Sequence, residues 1–246
     1  MSKPSGFDLE AHLSTEHKIT PFTTYLKEIV YGGNDGIITT FAIVAGFAGA
    51  QANPASQLPI FTVLLFGFAN LFADGVSMAL GNFISTRSEQ DVYRHAKQKE
   101  KYEIVHHPEM EVEESVEILV RKGFSQKQAA DLVAIYRTNP VYWTDFMMNQ
   151  ELELSNPEGD NPLFMSIATF FSFVIFGFIP LLPYVLFNET ATFLNSICAT
   201  ATALFLLGIL RWKVGQQSFL RSVGEILFLG GVAAITAFLV GTQFKV

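Results

Sequence analysis

The chain has 246 residues, of which 50% are hydrophobic and only 16% charged, and its mean hydropathy is +0.31. Long segments carry no charged side chain, including the 38 residues from Gly36 to Ala73 and the 25 from Leu163 to Phe187. A bilayer core about 30 Å thick takes roughly 20 apolar residues per helix, so this pattern excludes a soluble protein and indicates several membrane spans. The net charge of −7 argues against nucleic acid as a partner, and the single cysteine, Cys198, excludes an intrachain disulfide and a thiolate metal cluster.

Five apolar segments are predicted to be transmembrane helices, which makes the predicted fold class all-α. Turn-forming residues separate them at Asn53-Pro54, at Asn188-Glu189 and at Gly215-Gln216-Gln217. The predicted spans cover residues 30–50, 58–82, 163–187, 190–210 and 222–244.

A hydrophilic insert, residues 83–160, separates the second span from the third. It holds nine of the 16 Lys and Arg residues and fifteen of the 23 acids, and hence a net charge of −6. Lys and Arg collect in the N-terminal tail (1–29), in the insert and in the loop 211–221, so these three segments are predicted to face the cytosol. The C-terminus then lies outside the cell or in a lumen. The chain is thus predicted to have four parts: the cytosolic tail (1–29), spans one and two (30–82), the insert (83–160) and spans three to five (161–246).

The insert is predicted to be helical, with breaks at Pro108 and Asn139-Pro140 and a helix N-cap at Ser125. Its first helix is predicted to continue the second span into the cytosol. The four predicted helices cover residues 87–105, 109–122, 125–137 and 142–154.

Acidic side chains recur in the insert at helical spacing, in two pairs whose members lie three residues apart on one helix face. A later helix adds one glutamate and, about one turn before it, two methionines. These residues are Glu100 and Glu103, Glu111 and Glu114, Glu151, and Met147 and Met148. Paired carboxylates repel one another unless a cation lies between them, and a thioether favours softer divalent ions such as Fe(II) over Mg or Ca. The alternative is that the glutamates are solvated surface residues and the methionines pack a small core.

Polar side chains also occur at membrane depth. Asp35 begins the first span, and Asn70, Asp74 and Met78 recur every four residues along one face of the second. Ionisable groups inside a bilayer are costly and usually line an ion pathway, so these four residues are predicted to form one. The alternative is that Asp35 caps a helix at the interface and Asp74 is a paired structural carboxylate. Small residues four apart, at Gly32 and Gly36, are instead predicted to let helix backbones approach closely.

A Glu-x-x-His motif from Glu103 to His106 has the spacing found in di-iron bundles. Such bundles need two copies of the motif and two further glutamates, and this sequence holds no second copy. An iron oxidase is therefore disfavoured, and the chain is predicted not to be an enzyme.

Four separated motifs, in the same order along the chain, resemble those of the vacuolar iron transporter family. The resemblance covers about residues 25 to 245, which is nearly the whole chain. The motifs lie at Asn34–Gly46, at Ser77–Asn82 with Arg87–Glu89, at Trp143–Leu152 and at Ile179–Tyr184.

The resemblance implies a five-span homodimer that exports ferrous iron from the cytosol in exchange for protons. It also implies a cytosolic metal-binding domain between spans two and three, whose ligands fall on the five glutamates and two methionines identified above. In the pathway, the family's aspartate and methionine fall on Asp35 and Met78. Family members often carry a glutamate eight residues before this methionine, where this chain has Asn70, which cannot titrate. Asp74, one turn further along the same face, is predicted to take over that role.

Other functions are compatible with the same residues. Mn(II) or another divalent ion is the alternative substrate, because carboxylate and thioether sites are not strictly selective. A sensor or storage module, which binds metal without transporting it, is the alternative class. The first 20 residues are polar and lack a signal-peptide pattern, which favours a prokaryotic inner membrane and leaves a vacuolar membrane open.

Overall fold

The structure is a computed structural model that describes residues 21–51, 59–186, 192–215 and 218–244. All regular secondary structure in these ranges is helical. The chain divides into two compact units: the membrane unit, which contains the described residues up to Asn82 and from Leu163 onward, and the insert unit, Phe83–Pro162. Residues 1–20 and the predicted turns at Asn53-Pro54, Asn188-Glu189 and Gln216-Gln217 lie outside the described residues.

Nine helices of five or more residues follow one another in the described ranges. They are α1 (Leu26–Ala50), α2 (Ile60–His106), α3 (Pro108–Arg121), α4 (Gln126–Tyr136), α5 (Pro140–Gln150), α6 (Pro162–Phe178), α7 (Leu182–Leu186), α8 (Thr192–Gly215) and α9 (Phe219–Gln243). A single helical turn, Pro21–Thr24, precedes α1, and a 3-10 turn, Ile179–Leu181, joins α6 to α7.

Four described helical segments are long and apolar enough to cross a membrane. They correspond to predicted spans two to five and lie at Ile60–His106, Pro162–Leu186, Thr192–Lys213 and Phe219–Gln243. The first predicted span, residues 30–50, lies within α1, which has 25 residues but is less apolar than the others. Its five glycines and the charged and amide side chains in its N-terminal half lower its hydropathy. The chain is therefore a multi-pass membrane protein with at least four candidate spans.

Glycines let α1 pack directly against two other helices, as the small-residue spacing predicted. A methyl group added to Gly36 would clash with the backbone of Phe173 in α6, and one added to Gly49 would clash with the backbone of Phe238 in α9. Contacts along α1 and α6 proceed in the same direction. Ser172 donates a hydrogen bond of 2.7 Å to the carbonyl of Ile29, and further along both helices Gly177 lies against the backbone of Gly36. The helices are thus parallel, and close backbone contact stabilises their association in a lipid environment that offers no hydrophobic drive.

The two prolines of the predicted third span interrupt its helix. The α-helical pattern changes to a 3-10 turn at Ile179–Leu181, which contains Pro180, and Pro183 lies in the first turn of α7. A proline frees a carbonyl because it cannot donate the usual backbone hydrogen bond. The Ser196 hydroxyl of α8 donates a 2.7 Å hydrogen bond to the Pro180 carbonyl, and Ser196 is fully buried. The break is therefore a satisfied structural bend.

Local sequence signals set the helix boundaries of the insert unit. Pro108 occupies the first turn of α3, and Pro140 the first turn of α5 after the N-cap Asn139. Ser125 forms a capping box with Gln128 at the start of α4, which satisfies two free backbone N–H groups. The prediction for the last helix was wrong at its ends, since α5 begins and ends earlier than residues 142–154. The proline takes the N1 position that its fixed φ favours.

Candidate metal site

Five glutamates converge in the insert unit, and they are the five that the sequence singled out. Glu100 and Glu103 come from the last turns of α2, Glu111 and Glu114 from the first turns of α3, and Glu151 from the C-cap of α5. Together they are called the carboxylate cluster. One oxygen each of Glu100, Glu103 and Glu111 lie within 4.8 Å of one another, and the same holds for Glu111, Glu114 and Glu151. Glu111 is therefore common to two sets of converging carboxylates.

The two innermost carboxylates are buried without adequate hydrogen bonding. Glu100 and Glu111 are each 2% exposed, and one oxygen of each has no hydrogen-bond partner among the described residues. Burial, followed by repulsion from neighbouring glutamates, raises the pKa of both side chains to about 7. Burial raises the pKa of Glu151 as well, again with repulsion from the neighbouring carboxylates. An uncompensated group of buried acids is unfavourable for a fold and requires a cation or protons to balance it.

The cluster is reachable from its outer edge. Neither Glu114 nor Glu151 is buried, and a cavity of about 490 Å³ beside them is also lined by Glu113, Glu117 and Arg121. A cation approaching from solvent therefore meets acidic side chains before it reaches the buried carboxylates. Lys99 supplies the nearby positive charge, with its ammonium 3.4 Å from a Glu103 oxygen.

Both predicted sulfur ligands are fully buried in α5. Met147 packs with Ile104 and Trp143 in the core of the insert unit, and Met148 is 0% exposed. The backbone carbonyl of Met147 accepts the Glu151 N–H at 2.9 Å, which ties the methionine to the glutamate one turn later. The interpretation of these methionines as core residues is thus compatible with their burial, and their role as ligands is part of the proposal below.

The four predicted pathway residues lie in the membrane unit. The Asn70 amide donates a 2.7 Å hydrogen bond to the Asp74 carboxylate one turn away. Asp35 lies in α1, where its backbone carbonyl accepts a 2.8 Å hydrogen bond from the Thr39 hydroxyl. Met78 packs against the hydrophobic core that includes Phe173. All four side chains are neither fully buried nor fully exposed.

A cavity of about 770 Å³ in the membrane unit adjoins this face. It is formed by α1, α2 and α9, and Asn70 is its amide-bearing residue among mostly apolar neighbours such as Phe66 and Ala237. The remaining lining residues are apolar except Thr62, so the polar side chains of this cavity are the Thr62 hydroxyl and the Asn70 amide.

Several residues at these sites were not found from the sequence. Ser115 and Trp143 lie beside Met147 and hydrogen-bond to each other at 2.8 Å. Glu28, near the start of α1, is 2% exposed and has one oxygen without a partner among the described residues. In the sequence, the apolar residues next to Glu28 are the only signal of its burial. His106 is exposed and stacks on Tyr102, and it belongs to neither of the two sets of converging carboxylates.

Comparison with known proteins identifies the family. The sequence profile of the VIT family matches residues 26–242. Vacuolar iron transporter 1 of Arabidopsis thaliana is 35% identical over 214 residues, which are 87% of this chain and 83% of that protein. The vacuolar iron transporter of Plasmodium berghei (strain Anka) is 33% identical over 231 residues, 90% of this chain and 82% of that protein. Vacuolar iron transporter 1 of Eucalyptus grandis is 30% identical over 236 residues, 95% of this chain and 92% of that protein. The chain therefore belongs to the VIT family.

Proposed function

We propose that this protein is a membrane transporter that exports Fe(II) from the cytosol in exchange for protons. The observation that carries the proposal is the carboxylate cluster, in which buried acids share Glu111 between two sets of converging oxygens. In this proposal the cluster collects the ion, and the Asp35, Asp74 and Met78 face of the membrane unit conducts it. The names of the relatives, all vacuolar iron transporters, support iron as the substrate.

The distances within the cluster fit a transition-metal ion as substrate. A metal–oxygen bond of about 2.1 Å places opposite ligand atoms about 4.2 Å apart. Three oxygens that lie within 4.8 Å of one another can all reach a shared ion by movements of about 0.7 Å or less. Carboxylates alone suit hard ions, so the thioethers of Met147 and Met148 are proposed to favour Fe(II).

Five membrane spans in a homodimer form the proposed transport unit. The 25 residues of α1 extend about 37 Å at 1.5 Å per residue, which is enough to cross a bilayer. Close packing of α1 along α6 and α9, both apolar enough to cross a membrane, supports its role as the first span. With five spans, the cytosolic tail and insert unit predicted from Lys and Arg distribution are on the same side, and the C-terminus is on the opposite one.

Competition between metal and proton gives exchange a physical basis. A carboxylate must be deprotonated to bind a metal, so protons and Fe(II) exclude each other at the same oxygen. Asn70 cannot titrate, and its amide donates to Asp74, which leaves Asp35 and Asp74 as the carboxylates available for proton exchange. Protons that enter from the far side would release the ion there and return to the cytosol as the carboxylates reload.

Proteoliposomes containing the purified protein test the proposal. Fe(II) uptake under reducing conditions should rise with an imposed pH gradient that is acidic inside, and should alkalinise the lumen as the metal enters, because protons leave in exchange. Asp35→Ala and Met78→Ala should each lower the flux at least tenfold, since each removes a polar or sulfur group from the proposed path. Met165→Ala, which removes a methionine from α6, serves as the control. Full Fe(II) flux in both pathway variants, or flux that ignores the pH gradient, would refute the proposal.

Mn(II) is the second candidate substrate. The observation in its favour is that oxygen atoms dominate the cluster, while the Met147 sulfur already accepts a hydrogen bond from Ser115 at 3.2 Å. Fe(II) and Mn(II) should therefore be compared in the same proteoliposomes, each as a competitor of the other. Metal binding without flux of either ion would instead identify a sensor or storage module.

A further inference from the structure

A buried hydrogen-bond chain ends on the Met147 sulfur. The Trp143 indole N–H donates to the Ser115 hydroxyl at 2.8 Å, and that hydroxyl lies 3.2 Å from the Met147 sulfur, toward which it donates. Trp143 is 2% exposed, and Ser115 and Met147 are each 0% exposed. Water is therefore excluded from all three groups, and their polar atoms depend on one another.

The hydroxyl of Ser115 has an unusual acceptor. A serine inside a helix commonly donates to the carbonyl four residues earlier, which for Ser115 belongs to Glu111. A thioether is a weaker acceptor than that carbonyl, so packing and the tryptophan donor must hold the hydroxyl in its present direction. Because the indole N–H occupies one lone pair of the serine oxygen, the hydroxyl proton points away from it and toward the sulfur.

This arrangement determines where the sulfur lone pairs point. Methionine has three rotatable bonds and would otherwise adopt several orientations, even in a core. The serine proton occupies one side of the sulfur and leaves the other lone pair available. Ser115 directly follows Glu114 in α3 and lies one turn after Glu111, so the helix that supplies two carboxylates also holds the thioether.

We propose that Ser115 and Trp143 are positioning residues that fix the Met147 thioether and thereby set the preference of the cluster for thiophilic over hard divalent ions. The inference rests on the proposed function, because it takes Met147 as a ligand of the transported ion. Groups behind a metal ligand typically change metal affinity about 10- to 100-fold when they are removed. Loss of the Ser115 hydroxyl should act on a thiophilic ion and spare a hard one, since only the sulfur loses its orientation.

The test compares Cd(II), a redox-inert thiophilic ion, with Mn(II), by calorimetric titration of the full-length protein in detergent. Met147→Leu conserves volume but removes the sulfur, and it should lower the ratio of Cd(II) to Mn(II) affinity. Ser115→Ala should lower the same ratio about tenfold, and Trp143→Phe should lower it by less, because the serine hydroxyl remains. Ser125→Ala removes the cap of α4 in the same unit and should leave the ratio unchanged.

A double variant separates positioning from general damage. If Ser115 acts through the sulfur, Ser115→Ala should have no further effect on the ratio in the Met147→Leu background. A ratio that is unchanged in Ser115→Ala but lowered in Met147→Leu would overturn this inference and leave the proposed ligand intact. An unchanged ratio in Met147→Leu would overturn both the inference and the role of Met147 as a ligand. If Ser115→Ala also loses Mn(II) binding, the Trp143→Phe variant provides the test. A lowered ratio of Cd(II) to Mn(II) affinity in Trp143→Phe supports the inference, and an unchanged ratio overturns it.

Discussion

Metal binding by this protein should depend steeply on pH around neutrality. The perturbation is a change of pH from 8 to 6, and the groups that respond are Glu100 and Glu111, whose pKa values burial raises to about 7. At pH 8 both side chains are mostly ionised and ready to bind a cation. At pH 6 both are mostly neutral, and each must lose a proton before it becomes a ligand.

The magnitude follows from these pKa values. For a group with a pKa of about 7, the ionised fraction falls roughly tenfold between pH 8 and pH 6. Two such groups in one site should lower the apparent affinity about 100-fold. At pH 7 each is about half protonated, so binding of one ion should release about one proton in total, and at pH 5.5 nearly two.

Calorimetry of the full-length protein in detergent measures both quantities. Mn(II) avoids oxidation during the titration, and repeating it in buffers of different ionisation enthalpy gives the number of protons released. Glu89→Gln, which removes an exposed acid of α2, should keep the pH dependence of the unaltered protein. An affinity that changes less than about threefold between pH 8 and pH 6, or binding at pH 7 without proton release, would refute the reasoning.

Three further predictions concern stability and charge. In the metal-free protein, the carboxylate cluster binds more protons in the folded than in the unfolded state between about pH 4.5 and pH 7. The melting temperature of the insert unit should therefore fall as pH rises through this window, and Mn(II) should restore it at pH 7.5. Gly36→Ala should overpack against Phe173, cost about 1–3 kcal/mol of stability and lower the melting temperature of the detergent-solubilised protein. Gly224→Ala, whose added methyl group meets no atom within 4 Å, should not lower it. Equal melting temperatures of the two variants would contradict the packing argument. Lys99→Gln should raise Mn(II) affinity about two- to fivefold at low salt by removing a competing cation beside Glu103, and unchanged or weaker binding would show that Lys99 does not compete with the metal.

Short-range sequence signals predicted most of the insert unit. The capping box at Ser125 and the break at Pro108 are local, and both lie where the sequence placed them. The end of α5 was less accurate, because the residues after Gln150 include no glycine or proline before Pro157 and the sequence offers no earlier stop signal. In the membrane unit, uncharged length predicted five spans. Four of them are apolar enough in the structure to cross a membrane, and the first corresponds to α1, whose glycines pack against α6 and α9.

The burial of the clustered glutamates could not be predicted from their spacing in the sequence. The separation of Glu100 from Glu103 would be the same on a solvated surface, and only the packing of α2, α3 and α5 shows that Glu100 is 2% exposed while Glu114 is not buried. The contact between Ser115 and Met147 joins residues 32 apart on different helices. Serine and methionine have no pairing signature in sequence, so this contact depended on the folded structure.

Because Glu111 belongs to both sets of converging carboxylates, two metal ions bound at the same time would share it. A carboxylate that is engaged by one ion donates less electron density to a second, and two dications close together repel each other. Successive ions should therefore bind with unequal affinity, and the ion that binds second should dissociate more readily. Anticooperative filling of this kind lets a site retain one ion firmly while passing the next one on.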